Sequence, residues 1–223
     1  MSENKIIFPR ACRLLRDIDE AGFKQLCECL EVRELHLHNK QMFLHEDGPM
    51  DKIGIVVMGG VRLSRQRLDG GRNVLEDIAP VDVFGATYAF RDVNTVGISA
   101  SAVGDTTVLL FNTKKITHPC HKVCDAHMQF VRNLLSVMSS KTFAMKQKLR
   151  ILSQRTIRAR IHLLLQIYAR RTQSTKFDIP FDRQALADYL CVDRCALSAE
   201  LSKMQDEGLL EFEKNHFKLL KIT

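Results

Sequence analysis

The 223-residue sequence predicts an α+β protein with an all-β N-terminal domain, one long helix, and a small C-terminal domain of helices and a hairpin. Three observations carry this prediction. Turn residues recur through the first half of the chain at the short intervals, about 8–12 residues, that are typical of all-β domains. A heptad repeat of apolar residues follows them. Towards the C-terminus, two short stretches each begin with an aspartate that can cap a helix.

The N-terminal part begins with apolar residues at helical spacing, from Leu14 to Leu30, which predict one or two short helices within residues 5–31. From Val32 to His38 apolar and polar residues alternate, as they do in a half-buried strand. β-branched runs between turn residues predict further strands, with one turn at Gly59-Gly60. Many short strands indicate a roll, sandwich or barrel. The runs that predict strands are Ile53–Met58, Val61–Leu63, Val74–Ile78 and Val108–Phe111.

The heptad repeat lies between Val123 and Leu152, a stretch without proline or glycine. Its positions alternate in spacings of three and four residues, and one of them, Thr142, is polar. This pattern predicts one long helix. The narrow stripe favours a second copy of the chain as its partner, and packing on the helix's own domain is the alternative. The expected interface of this homodimer comprises Met128, Val131, Leu135, Met138, Thr142, Met145, Leu149 and Leu152.

The segment from Asp182 to Leu210 carries the most information about function. Asp182 and Asp193 are each placed to cap a short helix, and Cys191-Val192 makes a tight turn between the two helices. Two short capped helices joined in this way are typical of a helix-turn-helix, whose second helix enters the major groove of DNA. We therefore expect double-stranded DNA to be a partner.

The elements on either side agree with this expectation. A basic helix is predicted over residues 153–172, and a hairpin around Lys214-Asn215-His216 would form a wing. The formal net charge of +7 fits a nucleic-acid partner without requiring one. Arg194 is expected to reach a guanine edge or a phosphate, whereas Arg183 and Gln184 are expected to hold phosphate. The predicted DNA contacts are Arg183, Gln184, Asp193, Arg194, Cys195, Ser198 and Lys203.

In this order the elements resemble the Crp/Fnr family of bacterial transcription regulators, over residues from about Leu35 to Leu220. The resemblance implies a double-stranded β-helix (a β-roll, or cupin-like jelly roll) as effector domain over residues 1–122. It further implies a dimerisation helix over 123–152, a winged helix-turn-helix over 153–223, and RNA polymerase as a partner. The matching motifs are Lys40-Gln41 with His45–Pro49, Met58–Leu63, Ala79–Gly85, Arg183–Leu190 and Val192–Arg194.

Departures from the family pattern bear on what is bound. Members that bind cyclic AMP have a glutamate after the phenylalanine-glycine pair and an arginine on the next inner strand, where this sequence has Ala86 and Val96. A cyclic phosphate would meet no fixed cation, so another effector is expected. Cys195 and Ala199 replace the family's usual glutamate and second arginine, which implies a different operator. The expected effector pocket comprises Phe84, Gly85, Ala86, Thr87 and Val96.

Cysteines and histidines leave the sensed signal open. Cys120, Cys124 and His127 would share one helical face, and two thiolates with an imidazole suit Zn²⁺ or iron. Cysteine as an ordinary core residue is the alternative, so no cofactor is assigned. A histidine of the first strands would suit haem, although solvated histidines are the commoner case. Metal-, haem- or redox-responsive sensing by the same architecture therefore stays an alternative.

Several functional classes are excluded or disfavoured. The sequence has no glycine-rich phosphate loop, zinc-protease motif or nucleophile elbow, so an enzyme is not expected. It has no run of about 20 apolar residues and hence no expected membrane span. Seven cysteines without a secretion signal favour reduced thiols and a cytoplasmic location. A cupin-like ligand-binding protein is the remaining alternative, and it would not need residues 153–223.

Overall fold

The computed structural model describes residues 6–48, 51–67, 71–90, 97–118 and 124–220. The chain forms two compact units, Met1–Ser140 and Lys141–Thr223, and the boundary between them falls within a long helix. Among the described residues, none of the helices is both long and apolar enough to cross a lipid bilayer.

The N-terminal unit is an antiparallel sheet with helices at its two chain ends. A 3₁₀ turn (Arg13–Leu15) and helix α1 (Glu20–Cys29) come first, and α2 (Thr113–Thr117) and α3 (Asp125–Leu152) come last. The sheet order is β1-β6-β3-β4, with β2 paired to β6 and β5 paired to β3. The strands are β1 (Arg33–Leu37), β2 (Met42–Leu44), β3 (Lys52–Gln66), β4 (Arg72–Ile78), β5 (Val83–Phe84) and β6 (Ser99–Asn112).

Alternate residues of these strands enter two separate apolar clusters, as the two-residue period of a strand requires. Leu109 and Phe111 of β6 join a cluster that contains Phe23 of α1 and Phe130 of α3. The Phe111 and Phe130 rings stack with centroids 5.1 Å apart. Val108 and Leu110, which alternate with them along the strand, belong to the second cluster, in the interior of the sheet. The N-terminal helices therefore share a core with α3.

The predicted turn at Gly59-Gly60 is wrong, because both glycines lie inside the continuous 15-residue strand β3. The register with β6 shifts between Val56 and Met58 and again between Met58 and Gly60. Gly59 has φ +74°, and a Cβ there would lie 2.4 Å from the Asp105 carbonyl oxygen. Only glycine fits such a bulge, so the residue marks a bend and not a chain reversal.

The C-terminal unit packs three helices on a three-stranded sheet of order β7-β9-β8. The predicted helix over 153–172 begins later, at Ile157, because the Thr156 side chain caps it by accepting a hydrogen bond from Ala159 N. Ile151, near the end of α3, is buried in this unit's core. The elements are α4 (Ile157–Thr172), β7 (Lys176–Asp178), α5 (Arg183–Leu190), α6 (Arg194–Asp206), β8 (Leu210–Glu213) and β9 (His216–Leu219).

The long helix α3 carries two apolar stripes. Phe130, Leu134 and Val137 are buried against the N-terminal unit. The second stripe is the predicted seam, where Leu135 is 65% exposed and Leu149 is 69% exposed. Met128, Thr142 and Met145 are likewise exposed, whereas Val131, Met138 and Leu152 are partly buried. The helix itself is confirmed, and its self-association stays a prediction.

Candidate nucleic-acid interface and sensor residues

Two aspartates fix the starts of α5 and α6. The Asp182 carboxylate accepts a hydrogen bond from Ala185 N at 2.7 Å. The Asp193 carboxylate accepts from Cys195 N at 2.7 Å and from Ala196 N at 3.0 Å. Between the helices Cys191 takes the left-handed conformation, with φ 52°, which reverses the chain tightly. These features confirm the capped helix pair that the sequence predicts.

Replacing Asp193 by alanine is expected to lower the free energy of unfolding by about 1 kcal/mol, because two amide donors of α6 lose their acceptor. Asp193→Asn retains the acceptor oxygen and should keep most of the stability. Urea unfolding followed by circular dichroism measures both changes. Equal stability of the alanine variant and the native chain would contradict the capping role.

The N-terminal end of α6 presents three of the predicted DNA contacts together. Arg194 and Cys195 are exposed, and Ser198, one turn further along, is partly exposed. Lys203 is exposed as well but lies nine residues from Arg194, about 13.5 Å along the helix axis at 1.5 Å per residue. Asp193 is engaged as the cap. The polar cluster suited to reading bases is therefore confined to the first turns of α6.

Arg183 lies close to this cluster but is not a free surface charge. Its guanidinium carbon is 4.9 Å from the centroid of the Phe212 ring in β8. Burial, and then the positive charge of Arg194, lower the pKa of Arg183. Gln184, the next residue, donates a hydrogen bond to Asp188 Oδ1 within α5. Arg183 and Arg194 are thus neighbouring cations at the starts of α5 and α6, and such a pair can bind an anion such as a phosphate.

Lys214 is a third cation near this place, and it is absent from the predicted contacts. It lies at the turn of the β8–β9 hairpin with φ 53°. Together with Arg183 it borders a cleft of about 530 Å³ beside the loop that precedes α5. The signal in the sequence was a lysine at a predicted hairpin turn. We include Lys214 among the candidate phosphate contacts.

Two arginines of the predicted basic helix serve the protein's own structure. Arg158 is paired with Glu200 of α6 and donates to both carboxylate oxygens of Glu207, at 2.7 and 2.9 Å. Hydrogen bonds from Arg158 lower the pKa of Glu207. Arg160 donates to the Leu190 carbonyl oxygen at 3.0 Å. Both arginines therefore hold α4 against the capped helix pair, α5 and α6.

The predicted effector residues do not line a common surface. The Phe84 ring lies over Gly54, where an added Cβ would come within 1.9 Å of it, and belongs to the sheet interior. Ala86 is 3% exposed and belongs to the other cluster, with the helices. Gly85 between them is buried with φ +83°, and Thr87 is exposed. Val96 lies outside the described residues.

The proposed metal-ligating trio cannot be followed in full, since Cys120 lies outside the described residues. His127 is 4% exposed, and both of its ring nitrogens have partners. Nδ1 is 3.3 Å from Cys29 Sγ, and Nε2 is 3.0 Å from the Ile116 carbonyl oxygen. Within the part of the chain that the structure describes, no three metal-ligating side chains converge. No local sequence pattern links Cys29 to His127, which is why sequence reasoning missed this pair.

Comparison with known proteins identifies two domains in the chain. Residues 34–121 match the model of a cyclic nucleotide-binding domain, and residues 160–223 match the model of a Crp-like helix-turn-helix domain. The transcriptional activator protein FnrL of Cereibacter sphaeroides is 27% identical over 177 residues, which cover 75% of this chain and 68% of FnrL.

Solved structures share the fold. The catabolite activator protein of Thermus thermophilus superimposes with a TM-score of 0.52 at 19% identity, over 93% of each chain. The c-di-GMP-responsive regulator CLP of Xanthomonas campestris also gives a TM-score of 0.52, at 14% identity, over 92% of this chain and all of that one. At these identities the likeness extends to the fold alone.

Proposed function

Because the chain belongs to the Crp/Fnr family of transcription regulators, we propose that it binds an inverted-repeat operator as a homodimer. The observation that carries this proposal is the exposed N-terminal end of α6, where Arg194 stands beside Arg183. An arginine at the start of a recognition helix can donate two hydrogen bonds to guanine O6 and N7. Arg183, Lys214 and Lys203 would neutralise phosphates.

The experiment that tests this proposal is selection of bound sequences from a randomised DNA library by the full-length protein. A dimer with two recognition helices should enrich an inverted repeat with half-site centres one helical turn apart, about 34 Å. Affinity for the selected operator should fall steeply with salt, because several phosphates lose their counterions on binding. Enrichment of no sequence, or of a single unrepeated half-site, would contradict the proposal.

The exposed apolar stripe of α3 supports the homodimer. Phe143, at 64% exposure, extends the apolar surface beyond the predicted seam. A helix whose first stripe is already buried in its own domain leaves the second available to another chain. Exposed apolar surface of this length on a long helix is characteristic of interfaces between copies of a protein.

Cyclic AMP is expected not to bind, although the domain belongs to the cyclic nucleotide-binding class. The residue after Phe84-Gly85 is Ala86, whose methyl side chain is buried in the apolar cluster that includes α1 and α3. It offers no carboxylate to a ribose. Isothermal calorimetry should give no heat of binding at micromolar protein. A micromolar dissociation constant would overturn this expectation. The effector of this sensor domain is thus proposed to be a different small molecule or a redox signal.

The remaining partners follow from this function. We expect the regulator to work in the cytoplasm, where its DNA is, and to contact RNA polymerase when bound at a promoter. We expect it to have no catalytic activity of its own. Pull-down of polymerase subunits by the operator-bound protein, with operator-free protein as the control, tests the second of these expectations.

A further inference from the structure

One pair of reactive side chains in the N-terminal unit is used neither by the DNA interface nor by the α3 seam. Cys29 is the last residue of α1, and His127 lies in the first turn of α3, 98 residues later. Cys29 Sγ and His127 Nδ1 are 3.3 Å apart, which is hydrogen-bond distance for sulfur. A thiol and an imidazole in contact form the arrangement that activates cysteine nucleophiles.

The partner of the second ring nitrogen of His127 determines which of the two groups, the thiol or the imidazole, donates the proton. His127 Nε2 lies 3.0 Å from the Ile116 carbonyl oxygen, which can only accept a hydrogen bond. The single proton of the neutral ring is therefore on Nε2, and the lone pair of Nδ1 faces the thiol. Cys29 donates its proton towards that lone pair. When the proton moves, the imidazolium keeps its hydrogen bond to Ile116 and stands beside a thiolate.

The neighbouring cysteine shows what the same helix does without such a partner. Cys27 packs against the same apolar cluster, and burial raises the pKa of its thiol to about 12. At neutral pH this thiol is protonated and a poor nucleophile. Cys29 packs against the same cluster but has His127 Nδ1 within 3.3 Å of its sulfur. Because Cys29 is only partly exposed, a small reagent is favoured over a bulky one.

We propose that Cys29 is a modification site for hydroperoxides, with His127 as its general base and acid. The Cys29 thiolate attacks one oxygen of the hydroperoxide, so an S–O bond forms and the O–O bond breaks. Sulfur is oxidised to the sulfenic acid and the hydroperoxide is reduced. The leaving hydroxide or alkoxide takes the proton from His127 and departs as water or an alcohol, which returns the imidazole to its neutral state.

The added oxygen would enter a tightly packed junction between α1 and α3. Gly22 of α1 lies so close to α3 that a Cβ on it would be 3.3 Å from the Ala126 Cβ. Asn133 of α3 donates to the Leu14 and Arg16 carbonyl oxygens at 3.0 and 2.7 Å, which ties α3 to the 3₁₀ turn that precedes α1. Oxidation at this junction disturbs the start of the helix that carries the apolar seam. The modification therefore extends beyond the proposed DNA-binding function and does not depend on it.

The test is site-resolved trapping of sulfenic acid in the full-length protein. The reduced protein is treated with limiting hydrogen peroxide at pH 7 and then unfolded in the presence of dimedone, so that every cysteine is equally accessible to this bulkier trap. Adducts at each cysteine are counted by tandem mass spectrometry. Cys191, exposed at the helix-helix turn, is the reference thiol because it is accessible. We expect labelling of Cys29 about tenfold faster than that of Cys191, because His127 can take up the thiol proton as the sulfur attacks. Cys27 should be labelled least.

A histidine variant separates activation from accessibility. His127→Gln keeps a polar side chain near the sulfur but cannot take up its proton, so labelling of Cys29 should fall about tenfold while that of Cys191 stays constant. Circular dichroism shows whether this variant folds. If it does not fold, the proposal is still tested by the labelling of Cys29 relative to Cys191 in the native protein. Labelling of Cys29 no faster than that of Cys191 would overturn the proposal. So would a metal ion in the native mass spectrum that is lost in Cys29→Ser.

Discussion

Replacing Leu135 by aspartate is expected to convert the proposed homodimer into monomers at micromolar concentration. Leu135 lies at the exposed centre of the apolar stripe of α3, and dimerisation would bury two unpaired carboxylates there. Burial of an unpaired charge costs several kcal/mol. Analytical ultracentrifugation measures the change in mass. Operator affinity should fall about 100-fold or more with it, because the two half-sites are no longer bound by one linked molecule.

Ser136→Asp is the matched control for this variant. Ser136 is exposed, one residue along and about 100° around the helix from the stripe, so it adds the same charge outside the seam. It should leave both mass and operator affinity unchanged. If the native protein sediments as a monomer, or if both aspartate variants behave alike, the exposed stripe is not the dimer interface.

Removing the Arg194 side chain is expected to weaken binding to the selected operator by about 1–3 kcal/mol and to flatten the preference at one position in each half-site. The reason is its place in the first turn of α6, where it is exposed and directed away from the core. Binding of Arg194→Ala to a randomised operator library at two salt concentrations measures both effects. An unchanged preferred sequence would show that Arg194 is not a base-reading residue.

Arg183 gives the contrasting case. Its loss should weaken binding to all sequences about equally and lower the salt slope by about one unit. Because the guanidinium also packs on Phe212, Arg183→Lys is needed beside Arg183→Ala to keep the charge and remove the stacking. A shifted sequence preference in either variant would mean that Arg183 reads a base and does not only hold phosphate.

The departures in α6 allow a complementary gain-of-function measurement. Cys195 and Ala199 are both exposed, so larger side chains fit without disturbing the core. Cys195→Glu with Ala199→Arg restores the side chains that the family usually presents. We expect this double variant to select the family's common half-site from the library. Selection of the native operator instead would mean that specificity lies outside α6.

Patterns with a local physical cause were predictable from the sequence. The aspartate caps of α5 and α6 and the long helix α3 each follow from residues close together in the chain. The bulge at Gly59 was mistaken for a turn because glycine signals positive φ in both settings. Only the pairing with β6, more than 40 residues away, distinguishes the two.

The contacts that each arginine of the C-terminal unit makes could not be predicted from the sequence. Arg158 and Arg194 look alike in sequence, yet Arg158 is held by Glu200 and Glu207 whereas Arg194 is exposed. Charge pairing across 42 or more residues is a property of the folded chain. The same holds for Cys29 and His127, whose contact joins two helices that no sequence period relates.

If the exposed apolar stripe of α3 forms the proposed homodimer interface, the thermal stability of the protein depends on its concentration. A subunit interface stabilises the folded state only to the extent that partners are present, so dilution removes part of the stabilisation. The thermal midpoint of the native protein should rise with protein concentration, and that of Leu135→Asp should not. A homodimer of this kind would lose resistance to proteolysis as its cellular level falls, and its abundance would then influence its own lifetime.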